Sequence, residues 1–109
     1  MDRDAARAAA AAALASGDEQ QVAAAVRATL GWLAAQYPGR AVEIRVPPYH
    51  VVQAVAGASH RRGTPPAVVE TDPTTWLRLV SGDALWDVER TAGRLSASGE
   101  RSDLSTLLE

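Results

Sequence analysis

The sequence predicts an α+β domain, a four- to five-stranded mixed sheet with helices packed on one face. Helical spacing of apolar residues fills the first third of the chain and returns after residue 72, while period-two alternation occupies the middle. The two patterns are segregated along the chain, which argues for helices laid on one side of a mostly antiparallel or mixed sheet. The predicted order is two helices, three strands, two helices, a strand and a final helix.

Asp4 to Ala15 reads as the first helix, because Ala has the best helix propensity and Gly17 can supply a left-handed stop. Its apolar face is weak. Asp18 caps the second helix, with Gln21 as a capping-box partner, and Val22, Val26, Leu30 and Leu33 recur at helical spacing until Pro38-Gly39 ends the run. Val42, Ile44 and Val46 then alternate with Glu43 and Arg45 as in a half-buried strand, and "PPYH" marks a turn. In the second strand, "YHVVQAVAG", His50, Val52 and Ala54 compete with Tyr49, Val51 and Val55 for the core face.

The stretch "ASHRRGTPP" is a polar loop, and "AVVET" is a third strand with Val69 inward if Glu70 points to water. "TDPTTWLRLVSG" is the strongest local signal. Asp72 stands at the N-cap, Pro73 at the first helical position and Gly82 past the end, with Trp76, Leu77, Leu79 and Val80 as the apolar stripe. A short helix from about Ala84 carries Leu85, Trp86 and Val88 to Gly93. "GRLSASGERSDL" is a fourth strand, with Leu95 and Ala97 opposite Arg94, Ser96 and Ser98. Ser102 is expected to cap a last helix whose face is Leu104, Leu107 and Leu108.

A chain of 109 residues suits one domain with a real core. Its net charge of -2 creates no field that would attract nucleic acid. All 11 basic residues are Arg, which with the abundance of Ala resembles the codon bias of a GC-rich bacterial genome. Without Cys there are no disulfides, thiolate nucleophiles or Cys-ligated metals, and without Lys there is no Schiff-base or P-loop chemistry. No apolar run reaches the roughly 20 residues of a transmembrane helix. The Ala8 to Ala13 run continues into helical patterning rather than a signal peptide, so the expected location is cytoplasmic.

Nothing points to a metal or cofactor: His50 and His60 lie too far apart for a helical ligand pair and no carboxylate cluster accompanies them. No catalytic residue is assigned, because Ser96, Ser98 and Ser102 lack a nucleophile-elbow pattern.

The segments "ETDPTTWLRLVSGDALW" and "AGRLSASGERSDLSTLL" resemble the C-terminal half of the sterol carrier protein domain family. Asp72, Trp76, Leu79, Gly82, Gly93, Arg94, Leu95, Gly99, Leu104 and Leu107 occupy the matching places, and the overall look is similar to the small, single-domain sterol carrier-like proteins of actinobacteria. Phe is absent, and the Gly-rich hairpin usual in the family is missing.

The resemblance implies a noncatalytic carrier with an apolar tunnel between sheet and helices for a fatty acid, acyl-coenzyme A or sterol-like lipid. It implies a lining of Val69, Trp76, Leu79, Val80, Trp86, Leu95 and Ala97, with Leu104, Leu107 and Leu108 as a lid. Arg61 and Arg62 are the head-group candidates, since Arg offers bidentate donors to phosphates; the alternative is a solvated basic loop. Small residues at Ala97 and Gly99 either leave volume for a ligand chain or allow a close backbone approach. The competing function is a protein-interaction or scaffolding domain with a closed core, joining a protein partner or a second copy as a homodimer. A cavity of a few hundred Å³ would discriminate the two.

Overall fold

Asp2 and Asp18 each open a helix by accepting a hydrogen bond from a backbone N–H three residues on, Ala5 at 2.8 Å and Gln21 at 3.2 Å. The computed structural model, which describes residues 1–57 and 67–108, places α1 at Arg3–Ser16 and α2 at Glu19–Gln36, separated by Gly17 in the left-handed conformation. The weak face of α1 proves to be a stripe of alanines. Ala6, Ala10 and Ala13 are buried against α2 and a later helix, and their methyl groups leave little to hold the helix axes apart.

Four strands follow the predicted pattern: β1 (Val42–Val46), β2 (His50–Ala54), β3 (Ala67–Thr71) and β4 (Leu95–Ser98). The sheet order is β2-β1-β3-β4, with β1 parallel to β3 and both outer pairs antiparallel, so the sheet is mixed as expected. Three helices complete the fold: α3 (Pro73–Ser81), α4 (Trp86–Thr91) and α5 (Ser105–Leu108).

Register gives the sheet two unlike faces. Val42, Ile44 and Val46 on β1 and Val69 on β3 are fully buried, whereas Glu43, Arg45 and Glu70 lie on the opposite face, where Arg45 pairs with Glu43 at 2.6 Å. The ambiguity in β2 resolves through pairing: Ile44 opposes Val52 and Val42 opposes Ala54, which puts Val52 and Ala54 on the core face. Val51 faces away and is half exposed. A one-residue slip would have inverted the whole strand.

At Gly99 the structure decides for close approach. Its φ is +90°, and an added Cβ would lie 2.9 Å from the Ala67 Cα, so the start of β3 occupies the space a side chain would need. Gly39 has the same role elsewhere, where an added Cβ would run into the Val55 carbonyl that accepts from Ala41 N–H at 2.9 Å.

Two boundaries differ from expectation. The helix expected from Ala84 begins at Trp86, because Ala84 N–H is already bound to the Arg78 carbonyl at 3.1 Å in the turn that follows α3. Ser102 does not cap the last helix. The chain turns through Gly99 and Arg101, both at positive φ, and Ser102 Oγ closes that turn by donating to the Gly99 carbonyl at 2.8 Å. Asp103 instead accepts from Ser105 N–H at 2.9 Å at the start of α5, and that bond holds its carboxyl below the usual carboxylate range.

Candidate functional site

Asp72 fixes the start of α3 through two bonds from Thr75, one from its N–H at 3.0 Å and one from its hydroxyl at 2.6 Å. Partial burial pushes the Asp72 carboxyl up, but the Thr75 bonds together with backbone N–H groups outweigh it and hold the group below its ordinary value. The charged form therefore stabilises the fold above the ordinary pKa, and this contribution is lost as pH falls through the lowered one. Asp72→Ala is expected to cost about 1 kcal/mol at neutral pH. The gap between the two proteins in urea unfolding should narrow below about pH 4; a gap that stays constant to pH 2 would argue against the charged cap.

With α3 so started, Trp76 points into the interior and is fully buried. Its indole N–H donates to Thr29 Oγ1 at 2.9 Å, and that hydroxyl donates on to the Ala25 carbonyl at 2.7 Å. Leu30, Leu33, Ile44, Leu77 and Leu104 are fully buried in the same core cluster.

The expected lining residues divide between this core and a cleft. Val69, Trp76, Val80, Leu95 and Leu104 are core side chains packed between sheet and helices, and Ala97 and Leu107 are partly buried against them. Leu79, Trp86 and Leu108 also belong to the core cluster but line a cleft of about 280 Å³. This cleft lies among the helices, and among the described residues none from a strand lines it. Arg61 and Arg62, the head-group candidates, lie outside the described residues, as does His60.

Four more side chains complete the cleft: Ala84 and Leu85 from the turn between α3 and α4, Ser105 from α5, and Arg7 from α1. The sequence identifies Leu85 only as an apolar position on a helix, and it carries no signal for Arg7 or Ser105. Their role depends on which helix ends meet. Leu85 is 70% exposed at the mouth of the cleft, and Val88 nearby on α4 is 53% exposed. Trp86 is buried, and among the described residues its indole Nε1, like that of Trp32, has no hydrogen-bond partner.

The cleft walls are held by Glu89. Its buried carboxylate accepts from Arg78 Nη1 on α3 at 3.3 Å and from Arg94 Nε beside β4, while its backbone carbonyl accepts from Arg94 N–H at 3.0 Å. Through this one residue the end of α3, the helix α4 and the start of β4 keep a fixed relation.

Two larger depressions, of about 460 and 520 Å³, meet at Pro47 and Glu70 beyond the ends of β1 and β3. Their walls carry more charged side chains than the helix-lined cleft, and several of these already have partners: Arg45 has Glu43, Arg94 has Glu89, and Asp72 holds Thr75. The helix-lined cleft differs in being walled by Leu79, Leu85, Trp86 and Leu108, with fewer charged side chains among the described residues than either depression.

No curated protein matches the chain. A family model described as a bacterial SCP ortholog matches residues 18–109, from the cap of α2 to the end of the chain, leaving only α1 and its flanking residues outside. That match, over a mixed four-stranded sheet with five helices among the described residues, makes the chain a member of the bacterial sterol carrier protein family.

Proposed function

We propose that the protein is a noncatalytic binding or carrier protein for an apolar small molecule, with a fatty acyl chain in the cleft among α1, α3 and α5. The observation that carries this reading is the cleft itself, walled by Leu79, Leu85, Trp86 and Leu108. Its 280 Å³ lies just below the roughly 300–1,000 Å³ range of small-molecule sites. Such a volume favours a short or medium chain over a whole polycyclic lipid. Each methylene buried there would contribute roughly 0.8 kcal/mol. Family membership supports the carrier role in general, and we assign that role to the cytoplasm.

The test is titration of the delipidated protein with a fluorescent fatty acid, followed by displacement with acyl-coenzyme A and a sterol. Saturable binding displaced most readily by the acyl compounds is expected. Leu85→Asp, at an exposed position, should weaken binding at least tenfold while leaving the unfolding midpoint in place; unchanged affinity would move the site elsewhere. Arg61→Ala with Arg62→Ala should weaken acyl-coenzyme A more than the free acid, and equal effects would remove those residues from the head site.

A second reading, protein docking, is favoured by the exposure of Leu85 and Val88. A folded protein that binds no lipid in the titration would favour it.

A further inference from the structure

β4 ends the sheet and is paired on one side only, to β3. Two hydrogen bonds set which of its backbone groups face outward. Thr71 Oγ1 on β3 donates to the Arg94 carbonyl at 2.7 Å, so Arg94 turns its carbonyl inward. Ala67 N–H donates the other way, to the Ala41 carbonyl beside β1 at 3.1 Å, which leaves Val68 and Glu70 to bond their register partners Ser98 and Ser96. By alternation Leu95 and Ala97 point their N–H and C=O groups out of the sheet, and no backbone or side-chain group among the described residues bonds to them. Proteins blunt such an edge with charge, Pro, a bulge or a covering segment. The strand Leu95–Ser98 carries no Pro and no charged side chain, and its register with β3 runs without a bulge. At the opposite edge, by contrast, the Val55 N–H just past β2 is taken by the Tyr37 carbonyl at 2.7 Å.

We propose that β4 is the docking edge for a second copy of this chain, the two strands pairing antiparallel about Ser96 to make one continuous sheet across a dimer. In that register every outward residue meets an outward residue. Leu95 of each copy exchanges N–H and C=O bonds with the partner's Ala97, and Ser96 faces the partner's Ser96 in the pair between. Ser96 and Ser98 are exposed and small, so neither holds the strands apart, and opposed Ser hydroxyls can bond each other. The strand is bracketed by opposite charges, Arg94 before it and Glu100 after the turn at Gly99. Antiparallel pairing sets each Arg94 toward the end of the strand where the partner's Glu100 follows, whereas parallel pairing would set like against like. Because both copies use the same patch, the pair closes on a two-fold axis. A strand of four residues makes a small contact, so the dimer is weak and forms with rising concentration. No ligand is needed for it, and it holds or fails independently of the carrier role.

Sedimentation velocity of the full chain, from about 1 µM to about 1 mM, should show the 11.4 kDa species giving way to one of twice that mass. Ser96→Lys, at an exposed position, should weaken the dimer about tenfold and leave the urea midpoint in place, because like charges then oppose each other at the two-fold axis. Ala97→Pro removes an outward donor from each copy without touching the ladder to β3, and it should leave only monomer. The chain has no Cys, so Ser96→Cys reads the register directly. A pair without mutual hydrogen bonds holds its Cα atoms about 4.5 Å apart, within disulfide reach, so mild oxidation should cross-link Ser96→Cys and spare Ser98→Cys. A native chain that stays monomeric at every concentration overturns the proposal. So does a dimer that both Ser96→Lys and Ala97→Pro leave intact, or cross-linking that favours Ser98→Cys. Growth beyond a dimer overturns it too, since β4 would then be meeting a different surface in an open chain of copies.

Discussion

Trp76→Ala is expected to lower the unfolding free energy by about 3–5 kcal/mol, the usual loss for truncating a fully buried aromatic. Trp76 has no exposed surface, and it joins α3 to α2 through the Thr29 hydroxyl. Against a total stability of roughly 5–15 kcal/mol, that loss would leave the domain marginal. The measurement is the urea midpoint with an unchanged slope. Thr29→Val separates packing from hydrogen bonding, since it nearly keeps the shape but strands the indole N–H, at about 1–3 kcal/mol. A loss below about 1 kcal/mol for Trp76→Ala would show that the layer between sheet and helices is loosely filled and has room for a chain. The expected tunnel would then return as the favoured site.

Glu89→Ala should cost about 2–3 kcal/mol, within the range for hydrogen bonds to charged groups. The carboxylate is buried while Arg78 and Arg94 are each more than a third exposed, so the two cations can return to water when it is removed. For that reason the loss should fall short of that seen when a charge is left buried and unpaired. Glu89→Gln should recover part of the loss by keeping one acceptor oxygen. Because the same residue ties α3, α4 and β4 together, ligand affinity should fall with stability in Glu89→Ala. Unaltered stability in both variants would reduce the cluster to a surface ion pair worth less than about 1 kcal/mol.

Local chemistry made much of this fold legible. The caps at Asp18 and Asp72, the stops at Gly17 and Gly82, and the alternation of Val42, Ile44 and Val46 depend on neighbours within a few residues, and the structure places each as read. Where two local options were comparable, as for the face of β2, the register against Ile44 and Val42 made the choice. Ser102 was misread because a Ser ahead of an apolar run can serve a turn as well as a helix start. The bond it makes reaches back to Gly99.

The candidate site was legible only by half. Leu79, Trp86 and Leu108 could be named because large apolar residues at helical spacing must be buried somewhere, but the sequence could not say whether they face the sheet or a cleft. Arg7 is separated from Trp86 by most of the chain. Only the packing of the Ala6, Ala10 and Ala13 stripe brings the two to one wall. By itself the sequence determined the elements, most of their ends and the α+β class, all of which follow from short-range hydrogen bonding and periodicity. Tertiary structure alone decided the parallel pairing of β1 with β3, the backbone approach that requires Gly99, and the meeting of α1, α3 and α5 around a cleft. Those features depend on contacts between residues far apart in the chain, whose geometry no local pattern encodes.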